Sequence, residues 1–146
     1  MTKYFTCNYN ITNLHKKPSK NSEIVTQMIY GESFSISKRG KKWLKIKIKE
    51  DGYNGYIKSK KLLKFVKPTH KVYVLKSKVF KFPNKKMKIS EISFGSKIKV
   101  IENKRKFLRF SKGWIEKNDV KPITFREANP FRKISIFKNI KYKWGG

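Results

Sequence analysis

Apolar and polar positions alternate along the first third of the chain with a period of two. Leu44, Ile46 and Ile48 are interleaved with Lys45, Lys47 and Lys49, and Ser33-Phe34-Ser35-Ile36-Ser37 alternates in the same way. That period belongs to a strand with one face buried and one face wet. Glu50-Asp51-Gly52 closes a hairpin, because Asp-Gly supplies the positive φ angles of a tight turn. Strands are predicted near 23–28, 33–37, 43–49 and 53–57. Ser59-Lys60-Lys61-Leu62 reads as a short turn of 3₁₀ type. Residues 1–12 show no such period and read as a lead-in arm that carries Cys7 as a free cysteine.

The pattern then recurs. Pro18 corresponds to Pro83, and Gly31 to Gly95. Trp43-Leu44-Lys45-Ile46 corresponds to Phe107-Leu108-Arg109-Phe110, and Gly55-Tyr56-Ile57 to Gly113-Trp114-Ile115. The offset is 64 residues at the first glycine and at the aromatic, and 58 at the second glycine. The six-residue deficit falls where the first copy has its Asp-Gly hairpin, and turns are where chain length varies most freely. Pro68 marks a linker between the copies. After Pro122 the spacing of Phe131, Ile134 and Phe137 becomes helical. The predicted fold is all-β: two tandem small SH3-like barrels, residues 8–64 and 70–122, followed by a short C-terminal helical tail within 123–146. Small barrels close on themselves to hide their strand edges.

The chain has 146 residues, with 38 Lys and Arg against 9 Asp and Glu, a formal charge of +29. Only five of the basic residues are arginine, and the lysines occupy nearly every polar slot. That distribution, with the richness in Ile and Asn, fits the codon bias of an AT-rich genome. A charge this large nonetheless attracts polyanions whatever its origin. No run of 18 apolar residues is present, so no membrane-spanning helix is predicted. The N-terminus lacks the apolar core of a signal peptide, and the default location is the cytoplasm.

Candidate chemistry is sparse. One cysteine allows no intramolecular disulfide, and His15, His70 and Cys7 make no metal-ligand spacing. There is no phosphate-binding glycine loop and no carboxylate pair suited to glycoside hydrolysis. No catalytic residue, metal site or cofactor is assigned. Trp43, Tyr56, Phe107 and Trp114 are expected to fill or cover the barrel cores. Tyr53, before a glycine-rich hairpin exit, is expected to be exposed.

Glu23 to Glu32, the Trp43–Ile46 strand and Asp51-Gly52-Tyr53-Asn54-Gly55-Tyr56-Ile57 together resemble the first bacterial SH3-like (SH3b) domain of NlpC/P60 cell-wall cysteine peptidases. The copy from Phe107 to Val120 looks like the second SH3b domain. Phe137 to Gly146 resembles the opening of the peptidase domain, where a helix is followed by Pro-Tyr-x-Trp-Gly-Gly; here Lys141 replaces the proline. In that family the sequence continues to Asp-Cys-Ser-Gly, which carries the nucleophile, with a histidine base further on. Neither is in this sequence. The resemblance therefore implies the substrate-selecting SH3b region of a murein peptide (γ-D-glutamyl-L-diamino acid) endopeptidase, inactive by itself because nucleophile and base must stand within hydrogen-bond reach. It implies that Tyr53 forms part of the substrate wall, that Glu23 meets the free amine of the peptide, and that Tyr142 borders the missing nucleophile. The partners it implies are a murein peptide or peptidoglycan fragment and a peptidase domain, present or lost. The rival reading is a basic small-barrel nucleic-acid-binding protein.

Overall fold

A computed structural model describes residues 2–126. The predicted helical tail, with Phe131, Ile134, Phe137 and Tyr142, lies outside them. The described chain is all-β, with antiparallel sheets, one 3₁₀ turn and no α-helix. It divides into two compact units at Val66–Lys67.

The first unit comprises β1 (Phe5–Thr6), β2 (Ile11–His15), β3 (Ile24–Ile29), β4 (Ser33–Arg39), β5 (Trp43–Ile48), β6 (Asn54–Lys58) and β7 (Leu63–Lys64). They form one seven-stranded antiparallel sheet in the order β3-β2-β6-β5-β4-β1-β7. The alternation of β5 decides its orientation. Leu44, Ile46 and Ile48 are buried, and Trp43, Lys45 and Lys47 face outward. Leu14, Met28, Phe34 and Ile57 complete the core from the neighbouring strands. Each such side chain contributes about 1.5–3 kcal/mol on removal from water. Gly55 is required by packing, since a Cβ there would stand 2.8 Å from the Cβ of Leu14.

Residues 1–12 are not a free arm. Phe5 pairs with Phe34 on one side and Lys64 on the other, and Phe5, Thr6 and Cys7 are buried. A strand of two residues is too short to show a period, and its partners are remote in sequence. The pairing is therefore set by tertiary contacts. The 3₁₀ turn expected at residues 59–62 is absent there and occurs in the second unit.

The second unit comprises β8 (His70–Val72), β9 (Lys76–Phe80), β10 (Lys88–Ser93), β11 (Lys97–Ile98), β12 (Glu102–Lys104), β13 (Phe107–Phe110), β14 (Gly113–Glu116), the 3₁₀ turn Lys117–Asp119 and β15 (Val120–Pro122). Two sheets result, β10-β9-β14-β13-β12 and β11-β8-β15. Backbone bonds repeat between the units. In the first, Cys7 N donates to Glu32 O and Gly31 N to Cys7 O. In the second, Val72 N donates to Ser96 O and Gly95 N to Val72 O. Gly31 and Gly95 share a φ of 87°. Cys7 thus holds the place of Val72.

The β13–β14 turn is shorter than the β5–β6 turn, where the sequence copies differ in length. It forces Gly113 to a φ of 143°, with the carbonyl of Phe80 only 2.5 Å from where a Cβ would sit.

Candidate functional site

Tyr53 sits at the exit of the β5–β6 turn. Asp51 accepts the Tyr53 N–H through Oδ1 at 2.9 Å, Gly52 takes a φ of 77°, and Ile48 N donates to Tyr53 O at 2.9 Å. An aspartate bonding the backbone two residues on is the Asx turn that Asp-Gly favours. The turn is fixed at both ends while the tyrosine itself is left 54% exposed. Glu23 is exposed as well, and its carbonyl accepts Lys16 N at 2.8 Å. His15, the last residue of β2, stands beside Tyr56 of the antiparallel β6. The β2–β3 loop and the β5–β6 turn therefore leave the sheet at the same end. Topology brings Glu23 and Tyr53 to one end of the sheet, but no hydrogen bond joins them. Tyr142 lies outside the described residues.

Cys7 is 3% exposed. Its thiol lies 3.4 Å from the carbonyl of Tyr9 and 3.7 Å from Thr12 Oγ1. Burial pushes its pKa up and outweighs the lowering by the bonds to Tyr9 and Thr12; Glu32 adds a smaller rise and Lys60 a still smaller fall. A thiol kept protonated in a core is a poor nucleophile. Among the described residues no group of three or more His, Cys, Asp and Glu is placed to hold a metal, and no helix is long and apolar enough to cross a membrane.

Trp43 and Tyr56 are not core residues. Trp43 is in phase with Lys45 and Lys47, and Tyr56 with Asn54 and Lys58, so both rings are on the outer face and half-buried. The period of two assigns them there, although ring size favours burial. Together with Pro18, Lys38, Gly40, Lys41 and Lys42 they line a cleft of about 240 Å³. In the second unit Trp114 is buried, as expected, and Phe107 is half-buried.

The cleft wall is braced. His15 meets Trp43 edge-on with ring centroids 5.5 Å apart. His15 Nδ1 lies 3.1 Å from the carbonyl of Ser22. A carbonyl only accepts, so Nδ1 carries the proton and the imidazole is held in one orientation. Lys45 lies opposite Tyr56 on the neighbouring strand, its ammonium 5.9 Å from the ring centroid. On its other side Lys45 pairs with Lys38. His15, Tyr56, Lys45 and Lys38 thus form one row across four strands.

Residues 14–62 match the family model described as a bacterial dipeptidyl-peptidase SH3 domain. No curated protein matches the chain. Among solved structures, an NlpC/P60 family protein from Bacillus cereus ATCC 10987 superposes at a TM-score of 0.78 and 16% identity, over 99% of this chain and 66% of its own. NlpC2 and NlpC1 from Trichomonas vaginalis align at 12% and 10% identity, each with a TM-score of 0.35. They cover 90% and 88% of this chain, and 52% and 48% of their own. The chain therefore spans just under two thirds of the length of the Bacillus protein. Residues 14–62 thus resemble a bacterial SH3 domain, and the likeness to the Bacillus protein is one of fold.

Proposed function

We propose that this chain is the peptide-selecting SH3b region of a murein-peptide hydrolase. The observation that carries the reading is the match of residues 14–62 to a peptidase-associated SH3 domain, with Tyr53 presented on a rigid turn within that match. A ring anchored by its own backbone and open to solvent meets a ligand with little further ordering, which favours binding. Glu23, at the same end of the sheet, supplies an exposed carboxylate for a free peptide amine. The contribution of the chain is binding, because its one thiol is buried in the core. On this reading the ligand is a recycled murein peptide with a free N-terminal L-Ala, met in the cytoplasm, and hydrolysis between D-Glu and the diamino acid belongs to a peptidase domain.

The test is titration of the full chain with L-Ala-γ-D-Glu-diamino acid peptide and with its N-acetylated form, followed by calorimetry and amide chemical shifts. The free peptide should bind and shift the signals of residues 49–55. Acetylation should weaken binding about tenfold, the loss of one charge-assisted hydrogen bond. Tyr53→Ala should weaken it by a similar factor without lowering the unfolding midpoint. Equal affinity for both peptides, or binding that ignores Tyr53, overturns the reading.

A further inference from the structure

The cleft beside Trp43 and Tyr56 is separate from the Tyr53 turn and plays no part in the peptide reading. Its chemistry is specific in three respects. It has two half-buried rings on an outer sheet face. Three lysines, Lys38, Lys41 and Lys42, share its wall with those rings. Among the described residues none of these three lysines has an ion pair. Glu50 and Asp51 instead accept backbone N–H groups, from Ser33 at 3.0 Å and Tyr53 at 2.9 Å.

The second unit shows what the same positions do when they are not open. Its equivalent cross-strand pair is Arg109 and Trp114, with the guanidinium 6.0 Å from the ring. There, however, Glu102 faces Arg109 from the next strand and binds it at 2.9 Å. Glu102 occupies the place of Lys38, which pairs with Lys45 in the same register. Trp114 is 9% exposed. One unit closes the position with a carboxylate and a buried ring. The other leaves a cation and an accessible ring.

Lysine rather than arginine lines the cleft. An ammonium is a point charge suited to a phosphate, without the planar fork that reads a base edge. Rings beside lysines on a small β domain match what single strands require: stacking platforms for bases and cations along the backbone. We propose that this cleft binds single-stranded nucleic acid without sequence preference, a base stacking at Trp43 and Tyr56 and adjacent phosphates meeting Lys38, Lys41 and Lys42. The row from His15 to Lys38 keeps the platform in place before the strand arrives.

A chain of charge +29 attracts any polyanion, so the experiment must separate the cleft from bulk charge. Fluorescence anisotropy with labelled 15-mer oligothymidylate is read on the full chain at fixed salt. Lys38→Glu and Lys99→Glu change the net charge equally, and Lys99 lies exposed in the second unit. Lys38→Glu should weaken binding about tenfold and Lys99→Glu less than about twofold. Trp43→Ala should weaken it about tenfold, in the range measured for loss of one stacking ring, while Trp43→Phe restores most of it. Unlabelled polyphosphate and poly(glycerol phosphate), which have no bases, should compete at least about tenfold less well than oligothymidylate per phosphate. Equal effects of the two lysine variants overturn the proposal. So does binding indifferent to Trp43, or equal competition by the base-free polymers, which would make the surface a plain phosphate-polymer attractor.

Discussion

In the first unit Lys38 stands beside Lys45; in the second, Glu102 stands beside Arg109. The strands, the turn glycines and the backbone bonds around them correspond, so the backbone does not force this difference. It lies in side chains on the wet face. Inward, the two units agree closely. Leu44 and Ile46 correspond to Leu108 and Phe110, all buried. Core positions are constrained by dense packing, whereas outer positions are free to diverge. Ligand chemistry in this chain is therefore to be sought where the copies differ, at Tyr53 and at the Trp43 cleft, and stability where they agree.

The largest expected effect tests that agreement at the second glycine of each copy. Gly113→Ala meets both a φ that side chains rarely adopt and a backbone carbonyl 2.5 Å away. Gly55→Ala meets the Leu14 Cβ at 2.8 Å and the His15 carbonyl at 3.2 Å. Gly113→Ala should destabilise the second unit by about 3 kcal/mol or more, the sum of a strained backbone and a steric clash. Gly55→Ala should cost less, because its closest approach is 2.8 Å rather than 2.5 Å and is not compounded by a positive φ. Amide exchange resolved by residue separates the units. Equal losses at the two sites would show that the Gly113 conformation carries no strain.

A second test uses an imperfection. Ser96 takes the place of Glu32, whose Oε1 accepts Ile29 N at 2.8 Å. The Ser96 hydroxyl is fully buried and has no partner among the described residues. Ser96→Ala should stabilise the second unit by about 1 kcal/mol, the cost of a buried unsatisfied hydroxyl. A loss of stability instead would reveal a bond that the hydroxyl makes.

The third exchanges the outer faces. Glu102→Lys leaves Arg109 without its carboxylate. The two side chains of that pair are each 46% exposed, and solvent-screened pairs of this kind contribute about 0.2–1 kcal/mol. The melting temperature should therefore fall by only a few degrees. Oligothymidylate affinity should rise by less than the loss caused by Lys38→Glu, because Trp114 stays buried. A gain that matches that loss would mean that charge alone builds the site.

Much of this was legible in the sequence, and the gaps have physical causes. The period-2 runs place β4 and β5, and in β5 they place the inner face too, because each is long enough to show the pattern. The glycine pairs place the turns. What escaped was β1, too short for periodicity and held by partners distant in sequence, and with it the burial of Cys7. Trp43 and Tyr56 were expected to fill or cover the core, although their phase with the lysines puts them on the outer face. Residue size argued for burial and strand geometry argued against it; geometry prevailed. The acid at Glu102 had no meaning until register set it opposite Arg109. The exposure of Tyr53 followed from its place at a turn.

The smallest effect concerns Cys7, where the copies use different residues for the same task. Val72 at the equivalent place cannot ionise. Burial raises the Cys7 pKa above its ordinary value, and an unfolded thiol titrates near about 8.5. Below that pH the thiol is neutral in both states, and its contribution is fully present. As the pH rises past it, the unfolded chain releases the proton while the folded chain still holds it. The unfolded state then binds fewer protons, so stability falls with rising pH until the folded pKa is reached. Cys7→Val removes this dependence and leaves a side chain that the second unit already accommodates. Melting temperatures at pH 7.5 and pH 10 should fall more for the native chain than for Cys7→Val. The lysines titrate alike in both proteins and cancel in the comparison. Parallel losses would mean that the core around Cys7 opens to water before the chain unfolds.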